Sequence, residues 1–380
     1  MSLEGVNGLT ATLLNQIFDS QNATGNIALS GIGLYLLLGT INVGLGGKSY
    51  HQLWKFWEEN FEEMYTETWR YSNTGQKWLY LQKLSRELSM QASALFYSSD
   101  LHYLYDQISE YLFNLHKVKI DFTNPSESDA ILNEFVTHWT YGEIEHVFEG
   151  SMQSVNKMVF IHTLFYRADW IMNFDSALTK REMFYGDSGK PFMVSMMNQE
   201  SLNKIFDQPG YNFRILFKDL NHISIVSAIV LPRDRHGVKN VLNNFKVFKI
   251  FIQFYDMYTY FEKSKSMNVK LKLPKFKILR HDDLVDTLKK FGIIDIFDPE
   301  VSDFGMMTNY SVFIGNLMQV VNLGIDDMDL AATHTTEPLK EQSVSATCEF
   351  KVNRPFLFYI YSYLAEVALF SAVVTHPDPV

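Results

Sequence analysis

The residues 325–356, IDDMDLAATHTTEPLKEQSVSATCEFKVNRPF, constrain the fold more than any other part of the chain. They include a run of roughly 25 small, polar and acidic side chains with little to bury and no helical or strand period. This run is entered from an apolar segment, GNLMQVVNLGID, in which Leu317, Gln319, Val321 and Leu323 share one side of a strand. It ends in a second apolar run, Phe356–Val374. A structureless stretch of that length inside a compact domain is uncommon and usually functional. Held by strands at both ends, it is displayed backbone, which is what a protease or a partner protein reads.

The remaining sequence is apolar enough to build the core that such a stretch needs. Hydrophobic residues make up 47% of the 380 and aromatics 15%, which excludes a disordered chain. Thirty Phe and twenty Tyr favour extensive sheet. The net charge is −10 and no long Lys/Arg cluster occurs, so nucleic acid is not an expected partner. The single cysteine, Cys348, excludes an internal disulfide. Met1–Ile17 lacks the basic start and apolar core of a secretory signal. A cytoplasmic protein is expected, with secretion by an unconventional route left open.

In chain order, Leu9, Leu13, Leu14, Ile17 and Phe18 predict an opening helix. Ile27–Val43 is apolar all round and reads as one buried helix. Further helices are predicted over Ser49–Tyr65, Gly75–Leu88, Leu101–Val118, Ser126–Val147 and Asp282–Gly292. Strands are predicted at Leu88–Ser98, at KIDF (Lys119–Phe122), over Lys157–Trp170, and repeatedly between Pro191 and Pro232. Val269–Ile278 alternates cleanly, and Pro274 places it towards an edge or bulge. No repeat or linker divides the chain, so one mixed domain over residues 1–380 is expected.

Several chemistry-bearing patterns are set aside. GLGGKS at Gly44–Ser49 lacks the leading glycine of a phosphate loop and follows a helix rather than a strand, so a surface turn is expected. The His residues show no metal-ligand spacing, and there is no G-x-S-x-G elbow. Neither an enzyme nor a cofactor is implied. Pro355–Val374 is long enough to span a membrane but carries Glu366 and Ser362, and SYLAE suits a hairpin turn between two buried strands. The sequons at Asn22 and Asn309 read as chance matches.

The order of these segments resembles that of the serpin family. Asn26–Leu53 looks like the family's second helix and following turn, and Phe122–Phe148 like the helix that crosses its main sheet. FYRADWIMNF is similar to the strand end that carries a family tryptophan, here Trp170. FMVSMMNQ, SAIVLP, LKLPKFKI, DLVDTLKKFGIIDIFDPEVSDF and NRPFLFYI follow in family order. The resemblance implies an α+β serpin fold of three β-sheets with eight or nine helices and an exposed reactive-centre loop at 326–349. It also implies a monomer whose partner is a target protease. The lone cysteine, aromatic richness and missing signal resemble intracellular and viral, poxvirus-like members.

In that family the loop is bait for a serine or cysteine protease, and after cleavage its first half inserts as a new strand of the main sheet. The resemblance puts the hinge at Asp327, Asp329, Leu330, Ala331 and Ala332, and the scissile region at Gln342, Ser343 and Val344, with Lys340 as second choice. The hinge diverges: Asp329 and Leu330 stand where the family has Gly and Thr, and His334 and Pro338 would turn inward on insertion. Burying His334 and losing the Pro338 hydrogen bond both oppose insertion. A non-inhibitory serpin acting as a binding or decoy protein is therefore the alternative expectation. In the region where the sheet opens, Ser30 matches the family, Gly33 replaces a second serine, and His162 and Gln319 stand where the family usually has Asn and His. Trp170 completes that region, and a compensating His162–Gln319 hydrogen bond is one reading of the exchange.

Overall fold

The computed structural model describes residues 3–87, 90–150, 157–243, 257–327 and 347–377. Their elements, in chain order, are α1 (Glu4–Ser20), β1 (Ile27–Leu29), α2 (Gly31–Val43), α3 (Gly47–Trp57), α4 (Asn73–Ser85), β2 (Met90–Tyr97), α5 (Tyr103–Phe113), β3 (Leu115–Lys119), α6 (Pro125–Trp139) and β4 (Lys157–Arg167). There follow β5 (Lys180–Tyr185), β6 (Pro191–Phe206), β7 (Phe213–Asp219), β8 (Ile225–Pro232), α7 (Val238–Leu242), α8 (Met257–Glu262), β9 (Lys265–Pro274) and β10 (Phe276–Asp283). The chain closes with α9 (Val285–Lys290), β11 (Phe313–Ile325), β12 (Cys348–Lys351), β13 (Phe356–Ser362) and β14 (Val367–Val374). None of these helices is long and apolar enough to cross a membrane.

These residues gather into two compact units, one built mainly of Ile32–Tyr166 and Leu279–Asn322, the other of Val6–Gly31, Arg167–Ile278 and Leu323–Val380. The first contains most of a five-stranded sheet ordered β10-β11-β4-β2-β3. Its core joins Phe96 and Ala94 of β2, Val159 and Ile161 of β4 and Met318 and Val320 of β11 to Leu132 and Val136 of α6. Strands β4 and β11 run the same way. Gly315 lies against Lys157 at one end, Gln319 meets His162 in the middle, and Ala168 N donates to Gly324 O at the other end.

The second unit holds a nine-stranded sheet ordered β1-β14-β13-β8-β7-β6-β9-β12, with β5 paired to β6. Strand β6 is 16 residues long and pairs in turn with β5, β9 and β7. Hydrogen bonding through β6 thus runs these strands into one sheet, so the described strands form two sheets where the resemblance implies three, and the α+β class stands. The Phe356–Val374 run forms the β13–β14 hairpin, every residue of both strands buried.

Several boundaries differ from expectation, each for a local reason. Ile27–Val43 is not one helix: Ile27–Leu29 pair with β14, and α2 starts after Ser30. Uniformly apolar sequence cannot distinguish a buried strand from a buried helix. Helix α3 stops at Trp57 because Glu58 turns left-handed (φ 61°), and Glu62–Tyr65 form only a 3₁₀ turn. Asn114, also left-handed (φ 51°), ends α5 at Phe113, so the strand expected at KIDF lies earlier, at Leu115–Lys119, parallel to β2. Left-handed Tyr141 and Gly142 close α6 eight residues before Val147, its expected last turn becoming a loop whose Gly142 N bonds Thr137 O. Asp282 and Asp283 finish β10 rather than open a helix, and the Asp283 carboxylate caps Val285 N at 3.0 Å.

Pro274 does not mark an edge. Strand β9 has β6 on one side and β12 on the other, and Pro274 is its last residue, where the ladder stops. Lys275 then separates it from β10. GLGGKS is a turn between two helices, as expected: Gly46 N donates to Asp303 O, and Asp303 N donates to Ser49 Oγ. The Asp303 carboxylate lies against Gly46 and Gly47, where a phosphate would be repelled.

The loop after α6 is held by one side chain. Asn133 Nδ2 donates to Phe148 O at 2.8 Å and Asn133 Oδ1 accepts from Phe148 N at 2.9 Å. Asn133→Ala removes both bonds at a part-buried site and should cost about 2 kcal/mol, read as a lower urea midpoint with an unchanged slope.

Candidate functional site

The candidate site is made of the residues that flank 328–346 in sequence, together with the β4–β11 junction. At the end of β11 the two consecutive acids take different partners. Asp326 Oδ2 accepts from Arg167 Nη2 at 2.6 Å, from the last residue of β4. Asp327 Oδ1 accepts from Lys275 Nζ at 2.6 Å and its Oδ2 from Thr179 Oγ1 at 2.8 Å. Both carboxylates are buried, with side-chain exposures of 6% and 4%. Burial alone would raise the Asp327 carboxyl, but the bonds from Lys275 and Thr179 and the lysine charge outweigh it, and its pKa lies below the ordinary carboxylate value. The clamp on Asp327 therefore contributes stability above pH ~4 that is lost as pH falls through the lowered pKa.

The other end is a strand. Cys348–Lys351 pair in parallel with Val269–Lys272 of β9, so the expected loop 326–349 is already strand at Cys348 and Glu349. Arg214 Nη2 fastens this end by donating to Cys348 Sγ (3.2 Å) and Glu349 O (3.0 Å). The expected hinge residues Asp329, Leu330, Ala331 and Ala332, the scissile candidates Gln342, Ser343 and Val344, and His334, Pro338 and Lys340 lie outside the described residues.

The residues grouped by sequence as one sheet-opening region occupy different settings. His162 and Gln319 meet across β4 and β11, with Gln319 Nε2 at 3.2 Å from His162 Nδ1. His162 Nε2 lies 3.0 Å from Gln91 Oε1, and Gln91 Nε2 donates to Ser85 O. An oxygen at Nε2 and an amide nitrogen at Nδ1 select the neutral imidazole protonated at Nε2. Complete burial agrees, lowering its pKa from 6.5 to about 3.

Gly33 belongs to the same cluster, because a Cβ there would stand 2.1 Å from His162 Nε2. A glycine at 33 and an imidazole at 162 are thus sterically coupled. Ser30 belongs to the second unit, where its hydroxyl donates to Leu369 O at 3.2 Å. Trp170 is also in that unit, bridged to Leu220 and edge-on to Phe174. Beside it, buried Lys218 donates to Met172 O and Gln199 Oε1 and faces both rings, and burial lowers its pKa to about 7.

Sequence reasoning missed Arg167, Thr179, Lys275, Gln91 and Lys218. A signal existed for one of them: Arg167 ends the apolar strand β4, and the Asp326–Asp327 pair directly follows another, β11.

Asp326–Asp327 and Cys348–Lys351, the residues on either side of 328–346, are thus each held by side-chain or strand contacts within the second unit. A family model described as Serpin (serine protease inhibitor) matches residues 4–377, and the chain belongs to that family. Iripin-5 of Ixodes ricinus is 24% identical over 276 residues, 72% of this chain and 68% of that protein. Serpin B3 of Homo sapiens is 23% identical over 385 residues, 99% of this chain and 90% of that protein. The solved structure of native protease nexin-1 with heparin has a TM-score of 0.84 at 20% identity, with 98% of each chain covered.

Two measurements test the cluster. Gly33→Ala should lose about 2 kcal/mol by overpacking, and His162→Asn should restore at least half of that, giving a coupling of about 1 kcal/mol in a double-mutant cycle. His162 has a folded pKa below its unfolded one, so its stabilising share is full above pH 6.5 and falls on acidification. Between pH 6.5 and 5 the wild type should lose about 2 kcal/mol more than His162→Asn, by urea unfolding at each pH.

Proposed function

We propose that this chain is a protease inhibitor that works as a cleavable bait, a single domain over residues 1–380 with residues 326–349 as its reactive loop. The observation that carries this reading is the double tether: Asp326 and Asp327 pinned to Arg167 and Lys275 at one end, and β12 paired to β9 at the other. A serine or cysteine protease cutting at Gln342–Val344 frees the first half of the loop from its distal root. That half then enters between β4 and β11, the parallel neighbours beside its own origin. The added strand pairs on both sides, so insertion is downhill and drags the acylated protease with it. His162 and Gln319 are the residues between which the sheet gives way, and Ser30 and Trp170 act from the second unit.

A second reading is favoured by the hinge sequence. Asp329, Leu330, His334 and Pro338 each raise the cost of insertion, and a few kcal/mol is enough to let the acyl-enzyme hydrolyse first. The chain would then be a non-inhibitory binding or decoy protein using the same displayed surface.

Incubation with a panel of serine and cysteine proteases separates the two. Inhibition gives an SDS-stable complex and, in the nicked product, a raised melting temperature. Clean cleavage within 340–345 with neither sign sinks the inhibitor reading. The triple variant Asp329→Gly, Leu330→Thr, Pro338→Ala should then gain complex formation if the hinge is the obstacle.

A further inference from the structure

A cavity of about 240 Å³ lies within the second unit, where the end of α1, the turn after β8 and the link from β12 to β13 come together. Phe18, Val238 and Pro355 give it apolar walls, and Arg354, Lys239 and Asp187 bring charge to its lining. Two of these three charges already have a use. Lys239 Nζ lies 2.9 Å from Asp19 Oδ1. Asp187 Oδ2 accepts from Gly25 N at 3.1 Å, and its Oδ1 faces His376 Nε2 at 3.5 Å.

Arg354 is the exception. Its Nε donates to Pro232 O at 2.9 Å and its Nη1 to Asn353 Oδ1 at 3.2 Å, both uncharged acceptors. Among the described residues the one acid in ion-pair reach is Asp234, 3.4 Å from Nη2 and 92% exposed, so water and salt screen the contact. The Arg354 side chain is itself only 28% exposed. Burial, with the Arg214 charge beside it, holds its pKa below the usual guanidinium value against the pull of Asp234. A guanidinium carries five donors in a planar fork, and these contacts leave at least two of them for an acceptor in the cavity.

An under-neutralised cation beside apolar walls is the complement of an anion with an apolar body. Size sets the limit: at about 30 Å³ per water in the liquid, the cavity equals about eight waters, room for a ligand of about nine heavy atoms. We propose that this cavity binds a small apolar monocarboxylate, with its carboxylate on the Arg354 fork, Lys239 adding charge, and its ring or alkyl chain against Phe18, Val238 and Pro355. Free phosphate would satisfy the cation and leave the apolar walls unused. The site stands apart from the bait reading and is measurable without any protease.

The test uses the intact protein at neutral pH with benzoate as the probe, read by isothermal titration and by the shift in melting temperature. Benzoate should bind with a Kd of about 1 mM or tighter and raise the melting temperature. Benzylamine, of the same shape and opposite charge, should not bind, and inorganic phosphate should bind about tenfold more weakly than benzoate. Arg354→Gln should weaken benzoate about tenfold and Lys239→Gln about threefold. Because Arg354→Gln also removes the bond to Pro232 O, Asp234→Asn is the second variant: its side chain stands in solvent, and loss of the competing acid should tighten benzoate about threefold. Lys290→Gln, in the first unit, is the control and should leave the Kd unchanged. No benzoate binding at about 10 mM, or a Kd that neither Arg354→Gln nor Asp234→Asn moves by twofold, overturns the site. Phosphate binding as tightly as benzoate overturns the monocarboxylate assignment.

Discussion

The five-stranded sheet depends at its centre on how two parallel strands, β4 and β11, are held together. Parallel ladders are slightly weaker per residue than antiparallel ones, and both strands are buried along nearly their whole length. Side-chain ties across the junction therefore matter more than in an ordinary sheet. They occur at the middle, through His162 and Gln319, and at the loop end, through Arg167 and Asp326. Off both strands, within the second unit, Lys275 and Thr179 hold Asp327, and β9 pairs with Cys348–Lys351.

The polar groups at these ties are of two kinds. Asp326 and Asp327 are charges that tolerate burial because cations reach them. His162 tolerates burial by staying neutral, with an amide on either side selecting its tautomer. Both arrangements tie a local cost to a specific partner, and a partner can be withdrawn by movement.

Much of the fold was legible in the sequence because its signals are local and redundant. The β13–β14 hairpin, β4 and α4 follow from apolar runs bounded by turn residues, and the order of segments identified the family. Boundaries set by a single backbone conformation were not legible. Asn114, Glu58 and Tyr141 end helices by adopting positive φ, which a non-glycine residue does not announce. The division of Ile27–Val43 was hidden for the opposite reason, since every residue of strand and helix alike is apolar or buried. At the site, His162 and Gln319 could be paired by family position, whereas Arg167–Asp326 joins residues 159 apart that no periodicity links.

The close fit of Gly33 against the His162 ring makes the two positions dictate each other's contents. A Cβ at 33 and an imidazole at 162 claim the same space. A chain that carries histidine here is held to glycine there until the ring itself is lost.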